Sequence, residues 1–293
     1  MQVESRSLAV GGHGIAMRVY VPDGPATASV VIGGAMGVRQ DYYAPFAHWL
    51  AAQGLRVTTF DYQGMGDSLP AGLSLRQVRA NLLDWAADYE AVVAASKAAL
   101  PAQPLYLLGH SLGGQLPGFF RDKSLVAGLV SMAAGSGYWR ENAPQLKRTV
   151  LYFWYVLVPL LTRLCGYFPG RRLKKVGNLP AGVILQWRKW CLHPGYGAAV
   201  ENAQACYAQA RFPVLALSVV DDELMTLRGT ESLVGWYANA PRAVQRLDPA
   251  DWRMPRIGHF GFFRAASGPT LWPLALQALQ QLPGLAPASA SPL

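Results

Sequence analysis

Cysteine is scarce, with three in 293 residues. That is too few for a disulfide scaffold, and the odd count leaves at least one thiol unpaired. The first twenty residues hold Glu4, Arg6 and Arg18 and no apolar core run, unlike a secretory leader. Both features lead to the expectation of a reducing, cytoplasmic compartment. Cys191 and His193 lie close together but have no further ligands nearby, so no metal is expected. Charged residues make up only 15% of the chain, which excludes a disordered, solvating sequence. Long apolar runs are also missing. The longest, Leu151 to Leu161, has 11 residues, includes Pro159 and is soon followed by Arg163. A spanning helix needs about 20, so this run is read as a buried or pocket-lining helix, with a membrane-surface contact as the alternative. Neither Gly-x-Gly-x-x-Gly nor Gly-Lys-Ser/Thr occurs, and no nucleotide cofactor is expected.

What is present is a large apolar fraction, 52%, enough for the core of one sizeable domain. Strand and helix patterns alternate, which predicts an α/β fold with a mostly parallel, twisted sheet flanked by helices. Ile15 to Val21 alternates like an early antiparallel strand. Apolar strands are predicted at Ser29–Ile32, Leu55–Phe60, Leu105–Leu108, Val126–Ala133, Pro213–Val220 and Ala243–Leu247. Helices are predicted at Tyr42–Gln53, Ser74–Leu100 and Leu271–Leu282. Residues 135–211 break the alternation and read as a helical insertion rich in tryptophan. This segment holds eleven Arg and Lys against Glu141 and Glu201, so it carries all of the net charge of +9. Arg171, Arg172, Lys174 and Lys175 cluster within it. Residues 1–134 and 212–285 then form the core, and 286–293 an Ala-Ser-Pro tail expected to be flexible.

The strongest motif is Gly109-His110-Ser111-Leu112-Gly113, a Gly-x-Ser-x-Gly between an apolar strand and a helix. The chain must reverse there within a few residues. The flanking glycines remove side chains that would collide, and the serine hydroxyl is presented at the carboxyl edge of the sheet. A serine hydroxyl is a weak nucleophile until a base takes its proton. In the chain order serine, acid, histidine, that base is His259, which sits in the Gly-flanked Ile257-Gly258-His259-Phe260-Gly261. The orienting acid should follow the strand ending at Val220, where Asp221 and Asp222 stand side by side. Adjacent residues point in different directions, so only one can reach His259, leaving the other to cap or solvate the loop. The oxyanion needs two N–H donors. One is that of Leu112, and the other belongs to the loop after Ile32, Gly33-Gly34-Ala35-Met36-Gly37.

These pieces, with Asp61-Tyr62-Gln63-Gly64-Met65-Gly66-Asp67-Ser68, Gly166-Tyr167-Phe168-Pro169-Gly170 and Gly258-His259-Phe260-Gly261-Phe262-Phe263-Arg264, resemble α/β-hydrolases related to serine aminopeptidases, monoacylglycerol lipases and lysophospholipases. The resemblance covers about Leu8 to Leu282. It implies Ser111 as nucleophile and His259 as base. It implies Asp222 as acid, since Leu224-Met225-Thr226 follows where the family has a small apolar residue and proline. Matching the oxyanion loop through Tyr43 implies Met36 as second donor, with Ala35 the alternative. Residues 135–211 occupy the place of the family's lid. Gln63 replaces the usual arginine of its loop, and Gly33 stands where many relatives have histidine.

The expected activity is hydrolysis of carboxylic esters through an acyl-enzyme, on a small or lipid-like substrate. An acyltransferase or a peptidase could use the same three side chains. A non-catalytic binding module would keep the fold without them. The basic insertion suggests contact with anionic substrates or an anionic membrane surface. No nucleic-acid fold or repeat is visible, so nucleic acid is not an expected partner.

Overall fold

The computed structural model describes residues 1–173 and 176–283. The tail read over 286–293, and Lys174 and Lys175 of the basic cluster, lie outside the described residues.

The early part of the sheet is formed by β1 (Gln2–Val10), β2 (His13–Val21) and β3 (Ala28–Gly33), then α1 (Ala44–Ala52) and β4 (Leu55–Phe60). Next come α2 (Leu82–Ala99), β5 (Leu105–His110), the short α3 (Leu112–Gln115) and β6 (Gly128–Met132). The strands join in the order β1-β2-β4-β3-β5-β6, followed by two late strands described below. β1 and β2 pair antiparallel, as do β2 and β4, and every other pairing in this sheet is parallel.

The central strands are buried on both faces, as their unbroken apolar sequences require. In β3, Val30 and Ile32 join the core under α1, while Val31 joins the core under α2. Two sequence expectations need correction here. The helix read from Ser74 begins only at Leu82. Ser74 caps a single turn, Leu75–Gln77, after which Val78 is extended. Asn81 then opens α2 with a capping box, its side chain accepting from Leu83 and Asp84 N–H while Asp84 accepts from Asn81 N–H. β1 was not read from the sequence at all. It is mostly exposed and owes its conformation to pairing with β2, so its own pattern carries little signal.

Residues 135–211 separate β6 from the next sheet strand. They contain α4 (Pro144–Tyr152), a π-helical turn Phe153–Leu157, and α5 (Val158–Cys165). A small hairpin follows, β7 (Tyr167–Pro169) and β8 (Asn178–Pro180). Then come α6 (Ala181–Leu192), α7 (Tyr196–Val200) and α8 (Gln204–Ala208). The sheet resumes with β9 (Val214–Val219), α9 (Leu227–Trp236) and β10 (Arg242–Leu247), and β9 pairs with β6 and β10. The chain then forms the short α10 (Gly258–Gly261) and α11 (Gly268–Gln280), which packs beside α1. Among the described residues no helix is long and apolar enough to cross a membrane.

Candidate active site

The elbow after β5 is built by close backbone packing. Ser111 has φ 53° and ψ −111°, a conformation side chains rarely adopt, and its N–H donates to Met132 O at 3.0 Å. The glycines are required by distance. A Cβ on Gly113 would lie 2.0 Å from Gly33 O, and one on Gly109 would lie 2.4 Å from Gly113 O. The elbow thus rests directly on the end of β3, where the loop through Gly34, Ala35, Met36 and Gly37 begins. The Ser111 hydroxyl has no hydrogen-bond partner among the described residues.

Three consecutive acids after β9 all grip the His259 segment. Asp222, 6% exposed, accepts from His259 Nδ1 at 2.8 Å through Oδ2. Its Oδ1 accepts from the N–H groups of Leu224 and Met225, at 2.7 and 2.9 Å, which fixes the carboxylate plane. Asp221 accepts from the N–H groups of Ile257 and Gly258, at 3.1 and 2.9 Å. Glu223 accepts from His259 N–H at 3.0 Å and pairs with Arg256 at 2.9 Å. Burial opposes the charge on Glu223, but these bonds outweigh it and hold its carboxyl below the ordinary value. Of the two roles expected for the second aspartate, Asp221 takes the capping one, since it accepts from backbone N–H groups. The sequence showed the acidic run, but not that each member reaches a different atom of one loop.

A second network, not foreseen from the sequence, ties three parts of the site together. His110 Nε2 meets His259 O at 3.0 Å. A carbonyl only accepts, so Nε2 carries the proton and Nδ1 is free to accept from Tyr43 O–H at 2.8 Å. The Tyr43 oxygen in turn accepts from Ala35 N–H at 2.8 Å. His110 is wholly buried, and burial followed by the neighbouring His259 pushes its pKa well below the ordinary histidine value. It stays neutral, which this bonding pattern needs. Ala35 N–H is therefore engaged, whereas Met36 N–H has no partner among the described residues. Leu112 N–H, at the start of α3, likewise has none.

The insertion reaches the same edge. Gly37 has φ +73°, and a Cβ there would lie 2.6 Å from Gly177 N, so the β7–β8 hairpin sits against the loop after β3. A cavity of about 160 Å³ opens at this junction, lined by Gly37, Arg39, Met65, Leu69, Arg171 and Asn178.

The family model of the serine aminopeptidases of group S33 matches residues 24–178. The chain belongs to this family. The matched span holds the loop after β3 and Ser111, while Asp222 and His259 lie beyond it. Solved structures similar to this S33 member share its α/β-hydrolase fold along nearly its whole length. The monoglyceride lipase of Saccharomyces cerevisiae has TM-score 0.65 and 14% identity, covering 95% of both chains. DcsB, solved with a substrate analogue, has the same score and identity, covering 96% of this chain and 100% of its own. A cold-adapted esterase from an Arctic intertidal metagenomic library has TM-score 0.56 and 15% identity, covering 96% of this chain and 94% of its own. No curated protein matches in sequence.

Proposed function

We propose that this S33-family chain is a serine esterase acting through an acyl-enzyme. Ser111 attacks the ester carbonyl while His259 Nε2 takes its proton, and Asp222 holds the imidazole by Nδ1 and stabilises the imidazolium. The tetrahedral oxyanion accepts from the N–H groups of Leu112 and Met36. His259 then gives the proton to the leaving alcohol, and a water molecule, activated by the same ring, releases the acid. The buried 2.8 Å contact between His259 and Asp222, on loops flanking a strained Ser111, carries this reading.

Residues 135–211 serve as a lid on a core of residues 1–134 and 212–285. The packing of the hairpin on Gly37 supports this, as does Ser136 N–H donating to Gly229 O at 2.7 Å. The substrate is a small or lipid-like ester, a reading supported by the aromatic content of the lid. The free thiols of Cys165, Cys191 and Cys206 suit a reducing cytoplasm.

The family's name suggests a second reading, removal of an amino-terminal residue from a peptide. The lid's charge favours the ester, since eleven cations against two carboxylates repel a free ammonium group. Glu201 is moreover engaged by Gln186 and Trp190, at 2.9 and 2.7 Å. The test uses a fluorophosphonate probe, a p-nitrophenyl ester and an aminoacyl anilide. Ser111→Ala should abolish labelling and lower ester turnover by about 10⁶. A folded Ser111→Ala chain keeping a large part of the activity would overturn the assignment. Preferential cleavage of the anilide would move the reading to the peptidase.

A further inference from the structure

The apolar run Leu151–Leu161 is expected to be buried or pocket-lining, yet within it only Trp154 and Val158 are buried, while Tyr152, Tyr155, Val156 and Leu160 are exposed. α4, the π-turn and α5 form one continuous helical rod from Pro144 to Cys165. Two stripes run along it, each with a strict four-residue step. Val150, Trp154, Val158 and Thr162 are buried against the rest of the molecule. Tyr152, Val156, Leu160 and Leu164, two residues out of step, are 58%, 42%, 52% and 69% exposed. A four-residue step drifts by about 40° per turn on an ideal α-helix. The wider π-turn at Phe153–Leu157 absorbs one residue and brings both stripes back into line. The result is a straight outward apolar ridge about 18 Å long. Leu185 of α6 and Tyr155 are also exposed, so half of the exposed large apolar side chains among the described residues belong to this insertion.

Cations border the ridge. Arg148 and Arg163 are exposed on the rod itself, and Arg188 lies over the Tyr155 ring at 5.2 Å. The hairpin that follows packs against α5 and presents Arg171 and Arg172 in its turn, both exposed. The two acids of the insertion do not offset them. Glu201 is engaged as described, and Glu141 accepts from Ser232 at 3.1 Å, 3.7 Å from Arg228. Soluble chains rarely leave such a ridge bare without a use. A second copy is a poor occupant, because a two-fold contact would set one cationic rim against another.

We propose that this ridge docks on an anionic lipid surface, with the rod lying in the plane of the interface. The leucines and tyrosines enter the boundary of the acyl chains, and the arginines meet lipid phosphates. This docking is independent of the esterase reading, since it is measured without turnover.

The full chain should co-sediment with vesicles of equimolar phosphatidylcholine and phosphatidylglycerol, and much less with phosphatidylcholine alone. Raising salt should weaken the binding. Leu160→Glu with Leu164→Glu should lower partitioning by about 100-fold. Leu73→Glu, an exposed apolar position outside the insertion, should bind like the parent. Arg163→Gln with Arg171→Gln and Arg172→Gln should lose only the preference for the anionic vesicles. Parent chain that stays in solution with both vesicles would overturn the proposal. So would equal partitioning of the leucine variant. A parent dimer that those leucine substitutions dissociate would assign the ridge to a second copy instead.

Discussion

The carboxyl edge of the sheet and the inserted rod treat their side chains in opposite ways. At the sheet edge, His259 is held at its ring by Asp222, at its N–H by Glu223 and at its carbonyl by His110. Asp221 clamps the two residues before it. Such over-determination keeps a constellation within reach of its reacting geometry before substrate arrives. The rod is fixed along the face that carries Trp154 and Val158 and leaves large apolar groups of the other face in water. The first region is held from several sides, while the second leaves open the face proposed above to dock on lipid. The difference teaches that burial, more than apolar character, separates scaffold from contact surface in this molecule.

Three experiments test that contrast. The largest effect belongs to Asp222→Asn, which should lower ester turnover by about 10⁴, because the amide favours the wrong imidazole tautomer. Asp221→Asn should act mainly on stability, by about 1–3 kcal/mol, because it loosens backbone bonds and leaves the ring contact intact. Rates and thermal melts of both variants decide the matter. Equal loss of turnover would mean that loop position and ring tautomer act as one unit.

Next in size is a pair of alanine substitutions, one in each region. Gly113→Ala puts a Cβ within 2.0 Å of the Gly33 carbonyl oxygen, and backbone cannot easily move aside. A loss of about 3 kcal/mol or more is expected in denaturant unfolding. Leu164→Ala, 69% exposed, should change stability by less than about 0.5 kcal/mol. A large loss at Leu164 would show that the ridge is packed in solution, against the one-sided picture of the rod.

The smallest effect is a pH slope. Buried His110 has its folded pKa depressed, while an unfolded histidine takes up a proton near pH 6.5. The unfolded chain therefore binds more protons below that pH. Stability from this group is complete above about pH 6.5 and declines as pH falls, by about 1.4 kcal/mol per unit. Glu223, also depressed, acts in the same direction at lower pH. His110→Gln keeps a donor and an acceptor but cannot titrate. Its melting temperature should fall less than the parent's between pH 7 and pH 5. Parallel slopes would remove His110 as a source of the acid sensitivity.

Much of this was legible in the chain itself. Unbroken apolar strands such as Leu105-Tyr106-Leu107-Leu108 can only be buried on two faces, and they alternate with helices. An α/β fold with a mostly parallel sheet follows from that pattern, and the resemblance of the motifs narrows it to the α/β-hydrolase architecture, which the family match and similar structures bear out. Gly-His-Ser-Leu-Gly marked the elbow because only glycine fits beside a reversing backbone, a local steric demand. The acidic run Asp221-Asp222-Glu223 was also visible just after the strand ending at Val219, as was the Gly-flanked His259 in the segment beyond the last strand. The helix start at Ser74 was placed too early, because Ser74 caps only the turn Leu75–Gln77 and the chain is extended at Val78 before Asn81 opens α2.

What the sequence by itself determined, then, are the properties set by near neighbours: strand burial, the tight turn at Ser111 and the charge of residues 135–211. What only the tertiary structure decided are properties that depend on atoms far apart in the chain. Which aspartate meets His259 depends on how the loop after β9 approaches α10, across 37 residues. That Ala35 N–H is engaged and Met36 N–H free depends on Tyr43 and on His110, 67 residues further on. That one face of an apolar helix meets water depends on what the rest of the molecule covers, and on one wide turn at Phe153–Leu157 that keeps the two stripes apart. Short-range sterics are written into adjacent residues, whereas hydrogen-bond choice and exposure are settled only when distant segments compete for the same space.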